Sequence, residues 1–192
     1  MLFTLNKTYF TADQHFFHKN IVKEDFFASG YKRPWRNEKT MRNEIIARHN
    51  KVVKEDDFVI HAGDFAFTSN LMVDRLRPIL DKLNGKHILV LGNHDEINAF
   101  KYVNVGFTSV ATSCIIELEY KWKKYKVAIA HDPALRSVFP EKWIFLCGHI
   151  HDLFKSIPEK NTVNVGVDVW DYEPINFEVI LNHLDARRSL NG

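Results

Sequence analysis

Five short apolar runs in this chain each stop at an Asp, Asn or His, and that recurrence limits the fold more than any bulk property. The runs are Tyr9–Ala12, ending in Asp13-Gln14-His15; Phe58–Ala62, ending in Gly63-Asp64; and Ile88–Leu91, ending in Gly92-Asn93-His94-Asp95. Then come Val127–Ala130, ending in His131-Asp132, and Ile144–Cys147, ending in Gly148-His149-Ile150-His151. Each run has the length of a strand buried on both faces. Ligands in sheets of such strands collect at the carboxyl ends, so these five ends are expected to converge on one place.

Helical patterns separate the runs. Glu38–Asn50 carries Met41, Ile45 and Ile46 on one face, and Leu71–Leu83 carries Val73, Leu76, Leu80 and Leu83 at helical spacing. Pro78 should kink or break the second pattern, and Asn84-Gly85 suits its end. Cys114–Tyr120 and Tyr125–Ala130 flank Lys121–Lys124 as the arms of a hairpin. The order predicts an α/β protein with a mixed sheet or a pair of sheets. No repeat and no Gly/Ser/Pro-rich linker divides it, so residues 1–192 are expected to form one domain.

The chain has 192 residues, 45% of them hydrophobic, enough for a sizeable core without disulfides. The polar clusters at the strand ends therefore need their own explanation. A net charge of +2 argues against a domain devoted to coating nucleic acid, and no apolar run approaches a membrane span. Cys114 and Cys147 lie in strand-like stretches and read as buried free thiols. The first ten residues lack a secretory leader pattern, so a cytoplasmic location is expected.

Taken in order, the five blocks resemble the signature of the calcineurin-like metallophosphoesterases: Asp-x-His, Gly-Asp, Gly-Asn-His-Asp/Glu, a lone His, and Gly-His-x-His. The first block continues as His15-Phe16-Phe17-His18-Lys19-Asn20-Ile21, which is similar to the small, uncapped bacterial and phage members. Phe17 stands where Gly is usual in that stretch. The resemblance implies a two-sheet (α-β-β-α) sandwich. It implies that Asp13, His15 and His151 hold one divalent metal, that Asn93, His131 and His149 hold a second, and that Asp64 bridges them. Two such ions about 3.5–4 Å apart need a shared anionic ligand to offset their repulsion, which a carboxylate supplies. Four imidazoles with oxygen ligands and no thiolate suit transition metals, manganese first, with iron, nickel or zinc as alternatives.

By the same resemblance His94 is the general acid, Asp95 orients its ring, and a metal-bridging hydroxide is the nucleophile. The implied activity is hydrolysis of a phosphate ester, a phosphodiester of nucleotide or other small type in first place. A phosphomonoesterase or a nuclease with the same site is the alternative, and a catalytically silent metal-binding interaction module is the rival of another class.

Other residues divide between function and packing. His18 follows the first metal block and is a candidate substrate contact. Arg33 and Arg36, in Tyr31-Lys-Arg-Pro-Trp-Arg36, are candidates for holding a phosphate or, with the aromatics, a nucleobase. His49, His87 and His183 read as packing residues, while His61, three residues before Asp64, is open between core and outer support of the site. The segment Asp168-Val-Trp170-Asp-Tyr172 either closes over the site or packs.

Overall fold

The computed structural model describes residues 7–67, 73–95 and 98–191. Two five-stranded sheets face each other. In the first, β1 (Thr8–Thr11), β2 (Phe58–His61), β3 (Lys86–Val90) and β4 (Ser109–Ala111) run parallel, and β10 (Ile175–Asn176) pairs antiparallel with β1 at the edge. In the second, β5 (Ser113–Tyr120) and β6 (Lys123–Ala130) form the expected hairpin. Its turn residues Lys121 and Trp122 both have positive φ, 49° and 65°, the twist that a two-residue hairpin turn favours. β7 (Ile144–Cys147) runs parallel to β6, β9 (Thr162–Asn164) runs parallel to β7, and β8 (Ser156–Ile157) closes that edge antiparallel.

Alternate residues of the strands meet between the sheets. Phe10, Ile60, Ile88 and Val90 of the first pack against Val127, Ile129, Ile144 and Leu146 of the second. On the outer face of the first sheet lies α1 (Glu38–Val52), whose buried residues Met41, Ile45, Ile46 and His49 follow helical spacing. Asn37 starts it by accepting the Thr40 N–H at 2.9 Å. The helix expected over Leu71–Leu83 is broken. Leu71 lies outside the described residues, Val73–Leu76 is a 3-10 turn, and α2 is the single turn Arg77–Leu80 with Pro78 at its start. Proline is tolerated there because its missing N–H would have no helical partner. α3 (Ala99–Asn104) completes this side, with Tyr102 buried.

The two-sheet sandwich expected of the family type is the one observed, with a thin outer layer on the second sheet. Ala128, Ala130, Phe145 and Cys147 are covered by Phe139, Trp143 and Phe154 from connecting segments. α4 (Phe177–Asn191) instead places Phe177, Ile180, Leu181 and Leu184 in the intersheet cluster. Both cysteines are free, Cys147 buried and Cys114 half-buried. Among the described residues no helix is long and apolar enough to cross a membrane.

Candidate metal centre

The carboxyl ends of β1, β2 and β3 in one sheet, and of β6 and β7 in the other, meet at the same edge of the sandwich. Backbone bonds tie them together. The Asp13 N–H donates to the Gly63 carbonyl at 3.0 Å, His15 N–H to Asp64 at 3.0 Å, and Gly148 N–H to His131 at 3.0 Å. The His149 N–H donates to the Asp13 carboxylate at 3.0 Å, joining the last block to the first across the two sheets.

The side chains form two clusters. Asp13, His15 and His151 present ligand atoms within 4.8 Å of one another, and so do Asp64, His131 and His149. Asn93 joins the second, its Oδ1 lying 3.0 Å from His131 Nε2 and 2.9 Å from His149 Nδ1. Asp64 Oδ2 lies between the clusters, 3.4 Å from His15 Nε2 and 3.3 Å from His131 Nε2. Its Oδ1 accepts the His94 N–H at 2.8 Å. All seven residues that sequence reasoning assigned to metal are thus brought together, with members of both sheets in each cluster.

The backbone is strained where it delivers them. Asp13, His15, Asp64, His149 and His151 all have φ between 48° and 75°, a region that costs an L-residue roughly 1–2 kcal/mol. Strand ends must curl sharply here to aim both members of a block at one point. Phe17, in the place where Gly is usual, also takes a positive φ, 69°. Its N–H donates to Glu38 Oε1 at 2.9 Å, and the Arg42 guanidinium lies 5.0 Å from its ring. A Cβ on Gly63 would overlap the His131 ring, one on Gly92 the Asp64 carboxylate, one on Gly148 the Ala12 side chain and one on Gly166 the Asp13 carboxylate.

The donor set fits divalent metals. Both ring nitrogens of His15 are buried without a hydrogen-bond partner, an arrangement that is costly unless a cation takes one of them. Burial, with Arg33 nearby, holds the His15 ring well below the usual histidine range and so keeps it neutral, as a ligand must be. Burial would lower His131 too, but its bond to Asp64 and the charges of Asp13 and Asp64 prevail and raise it to about 9. A field that favours a proton so strongly at that nitrogen favours a metal cation there. His131 Nδ1 is taken by the Ala62 carbonyl at 2.9 Å, which leaves Nε2 for the centre.

His151 is oriented in the same way by a residue that sequence reasoning left unassigned. Its Nδ1 lies 2.7 Å from Asp168 Oδ2, and Asp168 is held in turn by Arg33, Nε to Oδ1 and Nη2 to Oδ2, both at 2.8 Å. Arg33 is fully buried; its Nη2 also donates to the Asp13 carbonyl at 2.6 Å and its Nη1 to the Gln14 carbonyl at 3.1 Å. This corrects the expectation that Arg33 touches substrate: every N–H group it has in these bonds is spent inside the protein. Arg36 is exposed and lines an open groove with Lys19, Lys23, Lys32 and Lys39. The signal for Asp168 was present as a further strand-like segment, Val163-Asn164-Val165-Gly166-Val167, ending at an acid.

Asp95 is a second correction. Its carboxylate does not reach for the His94 ring; Oδ2 accepts the Asp64 and Gly92 N–H groups, both at 2.8 Å, and Oδ1 accepts that of Phe65 at 3.1 Å. It clamps the Gly63-Asp64 turn to the Gly92–Asp95 turn. Burial pushes its carboxyl up to about 7 against the pull of those N–H donors. The half-buried His94 ring lies 5.2 Å from the His15 ring, and His18 is 5.6 Å from His15 and 6.2 Å from His94. His18 Nδ1 accepts the Ile21 N–H at 3.0 Å.

The remaining histidines lie away from the clusters. His61 Nδ1 accepts from Gln14 Nε2 at 3.0 Å, and its Nε2 lies 3.0 Å from His87 Nδ1, so it supports the residue between Asp13 and His15. His49 Nε2 lies 2.8 Å from the Asn84 carbonyl, and His183 Nε2 lies 2.9 Å from Ser156 Oγ.

A profile of the calcineurin-like phosphoesterase superfamily domain matches residues 40–181, more than half of the chain. The chain belongs to the calcineurin-like phosphoesterase superfamily. The matched span holds Asp64, Asn93, His131, His149 and His151, while Asp13 and His15 precede it. An uncharacterised protein of Methanocaldococcus jannaschii is 27% identical over 189 residues, spanning 95% of this chain and 93% of its own. The crystal structure of a protein of unknown function from Aquifex aeolicus shares the fold, with a TM-score of 0.62 at 23% identity over 91% of this chain and 97% of that one. Calcineurin-like phosphoesterases typically bind divalent metals, and the two clusters here suit that property.

Proposed function

We propose that residues 1–192 form one hydrolase domain that cleaves a phosphodiester of nucleotide type at a centre of two transition-metal ions, manganese foremost. The observation that carries this reading is the place of Asp64, whose Oδ2 lies 3.4 Å from a nitrogen of one cluster and 3.3 Å from a nitrogen of the other. Asp13, His15 and His151 would hold one ion, Asn93, His131 and His149 the other, and Asp64 both. When bound, such ions lower the pKa of a coordinated water towards neutrality and offset the charge of the phosphate.

The protein's own groups do the rest. With two carboxylates, two bound divalent ions and an ionised water, the centre would keep about one positive charge by formal counting, which would attract an anionic ester. His94 is held by its backbone N–H on Asp64 Oδ1 at 2.8 Å, so its ring stands beside the centre without entering either cluster. From there a ring nitrogen delivers the proton that a departing alkoxide needs. His18, its Nδ1 fixed by Ile21, is left with Nε2 to meet a phosphate oxygen. The two free thiols fit a reducing, cytoplasmic compartment.

The test is metal analysis joined to turnover with manganese on cyclic, linear and dinucleotide phosphodiesters and on phosphomonoesters. Two ions per chain and a preference for diesters are expected. A protein that binds two ions and turns over no ester would leave the silent-module reading standing, and one that binds no metal would overturn both readings.

A further inference from the structure

Two phenylalanines stand partly in solvent on the wall of the metal centre. Phe26 is 37% and Phe67 48% exposed, and both meet the His18 ring edge to face, at centroid distances of 5.0 and 4.4 Å. Phe67 also lies 5.4 Å from the His94 ring. Exposed apolar side chains scattered singly need no explanation, but two rings bracketing one imidazole beside a polar, cation-binding centre are a localised feature. Both rings thus lie on the side of His94, where the leaving group would sit.

We infer that Phe26 and Phe67 form a stacking subsite for a planar ring carried by the leaving group, so that the ester is one bearing a nucleobase a sugar's length from the scissile phosphate. The inference rests on the phosphoesterase reading above and adds to it the part of the substrate that is recognised. A benzene ring offers a π-face to any planar heterocycle and discriminates little among bases, so the subsite selects for a base without selecting which. An aliphatic leaving group gains far less from the same wall. The distances favour a mononucleotide-sized contact: a ring against Phe67 remains within one side chain of His94, close enough for the same group to be anchored at the base and protonated at its departing oxygen.

The experiment uses the manganese-loaded protein and three product-like probes, inorganic phosphate, ribose 5-phosphate and adenosine 5′-monophosphate, measured by calorimetry. The base is the only difference between the last two. Adenosine monophosphate is expected to bind roughly 5- to 100-fold more tightly than ribose 5-phosphate, the range one stacked base gives. Phe67→Ala should bring that ratio close to one and Phe67→Trp should keep it, with metal content and ribose 5-phosphate affinity unchanged; Phe26→Ala should reduce the ratio as well. Equal binding of the two sugars' phosphates by the unaltered protein, or a ratio that survives both alanine variants, overturns the stacking subsite while leaving phosphate binding intact. Failure of all three probes, inorganic phosphate included, removes the phosphoesterase reading and this inference with it.

Discussion

Arg33 and Asp168 form a two-pronged ion pair with both contacts at 2.8 Å, and neither side chain reaches solvent. Through Asp168 the pair fixes the ring of His151, and through its other N–H groups Arg33 fixes the backbone of Asp13 and Gln14. One buried guanidinium thus sets two members of the first cluster. Asp168→Asn keeps the shape and removes the charge, leaving Arg33 buried and unpaired. It should cost about 3–5 kcal/mol of stability and weaken metal binding about 10- to 100-fold. A metal titration of the folded variant that matches the unaltered protein would show that Asp168 does not tune the ligand.

Asp64→Asn should do more damage than Asp13→Asn. If Asp64 bridges two ions, the first change removes a charge that both share and the second a charge felt mainly by one. Metal analysis is expected to find the Asp13 variant with about one ion and the Asp64 variant with neither held tightly. Two tightly bound ions in the Asp64 variant would end the bridging assignment.

His94→Asn should retain its metals and lose roughly 10²- to 10⁴-fold in kcat on esters of alkyl or nucleotide type. On nitrophenyl esters, whose leaving group departs without a proton, the loss should be much smaller. Equal losses on both would move the acid elsewhere, with His18 the first place to look.

Acid should destabilise the fold through histidines that belong to neither cluster. Burial lowers both His49 and His87 to about 4 from an ordinary 6.5. Each is neutral when folded and protonated sooner when unfolded, so the unfolded chain takes up more protons as pH falls. The stability they contribute is complete above about pH 6.5 and is lost progressively down to about pH 4, on the order of 3 kcal/mol for each group. Denaturant unfolding across that window should show the slope, and His49→Gln, which keeps a donor for the Asn84 carbonyl, should flatten it by about one proton. An unchanged slope in that variant would exclude His49 from the effect.

What was legible in the sequence was what is local to a strand end. Asp13, His15, Asp64, Asn93, His131, His149 and His151 each sit directly after an apolar run, so the pattern that builds the sheets also aims the ligands. The buried role of Arg33 was not legible, because a cation in a loop beside a metal block suggests a phosphate contact until its partner is known, and that partner lies 135 residues away. Asp95 misled for the opposite reason: adjacency to His94 suggested a local role, while its carboxylate crosses to the turn at Asp64. The helical spacing of Leu76, Leu80 and Leu83 was real, and all three are buried, but Pro78 confined the α-helical part to one turn.

Each metal cluster draws on both sheets, Asp13 and His15 with His151, and Asp64 and Asn93 with His131 and His149. Ions bound by these clusters would act as crosslinks across the seam of the sandwich. Sliding one sheet over the other would then pull both sets of ligand atoms apart, so the geometry of the centre and the docking of the two sheets would be one mechanical property. Substitutions deep between the sheets, at Ile129 or Ile60, would then be felt at the centre before the fold gave way.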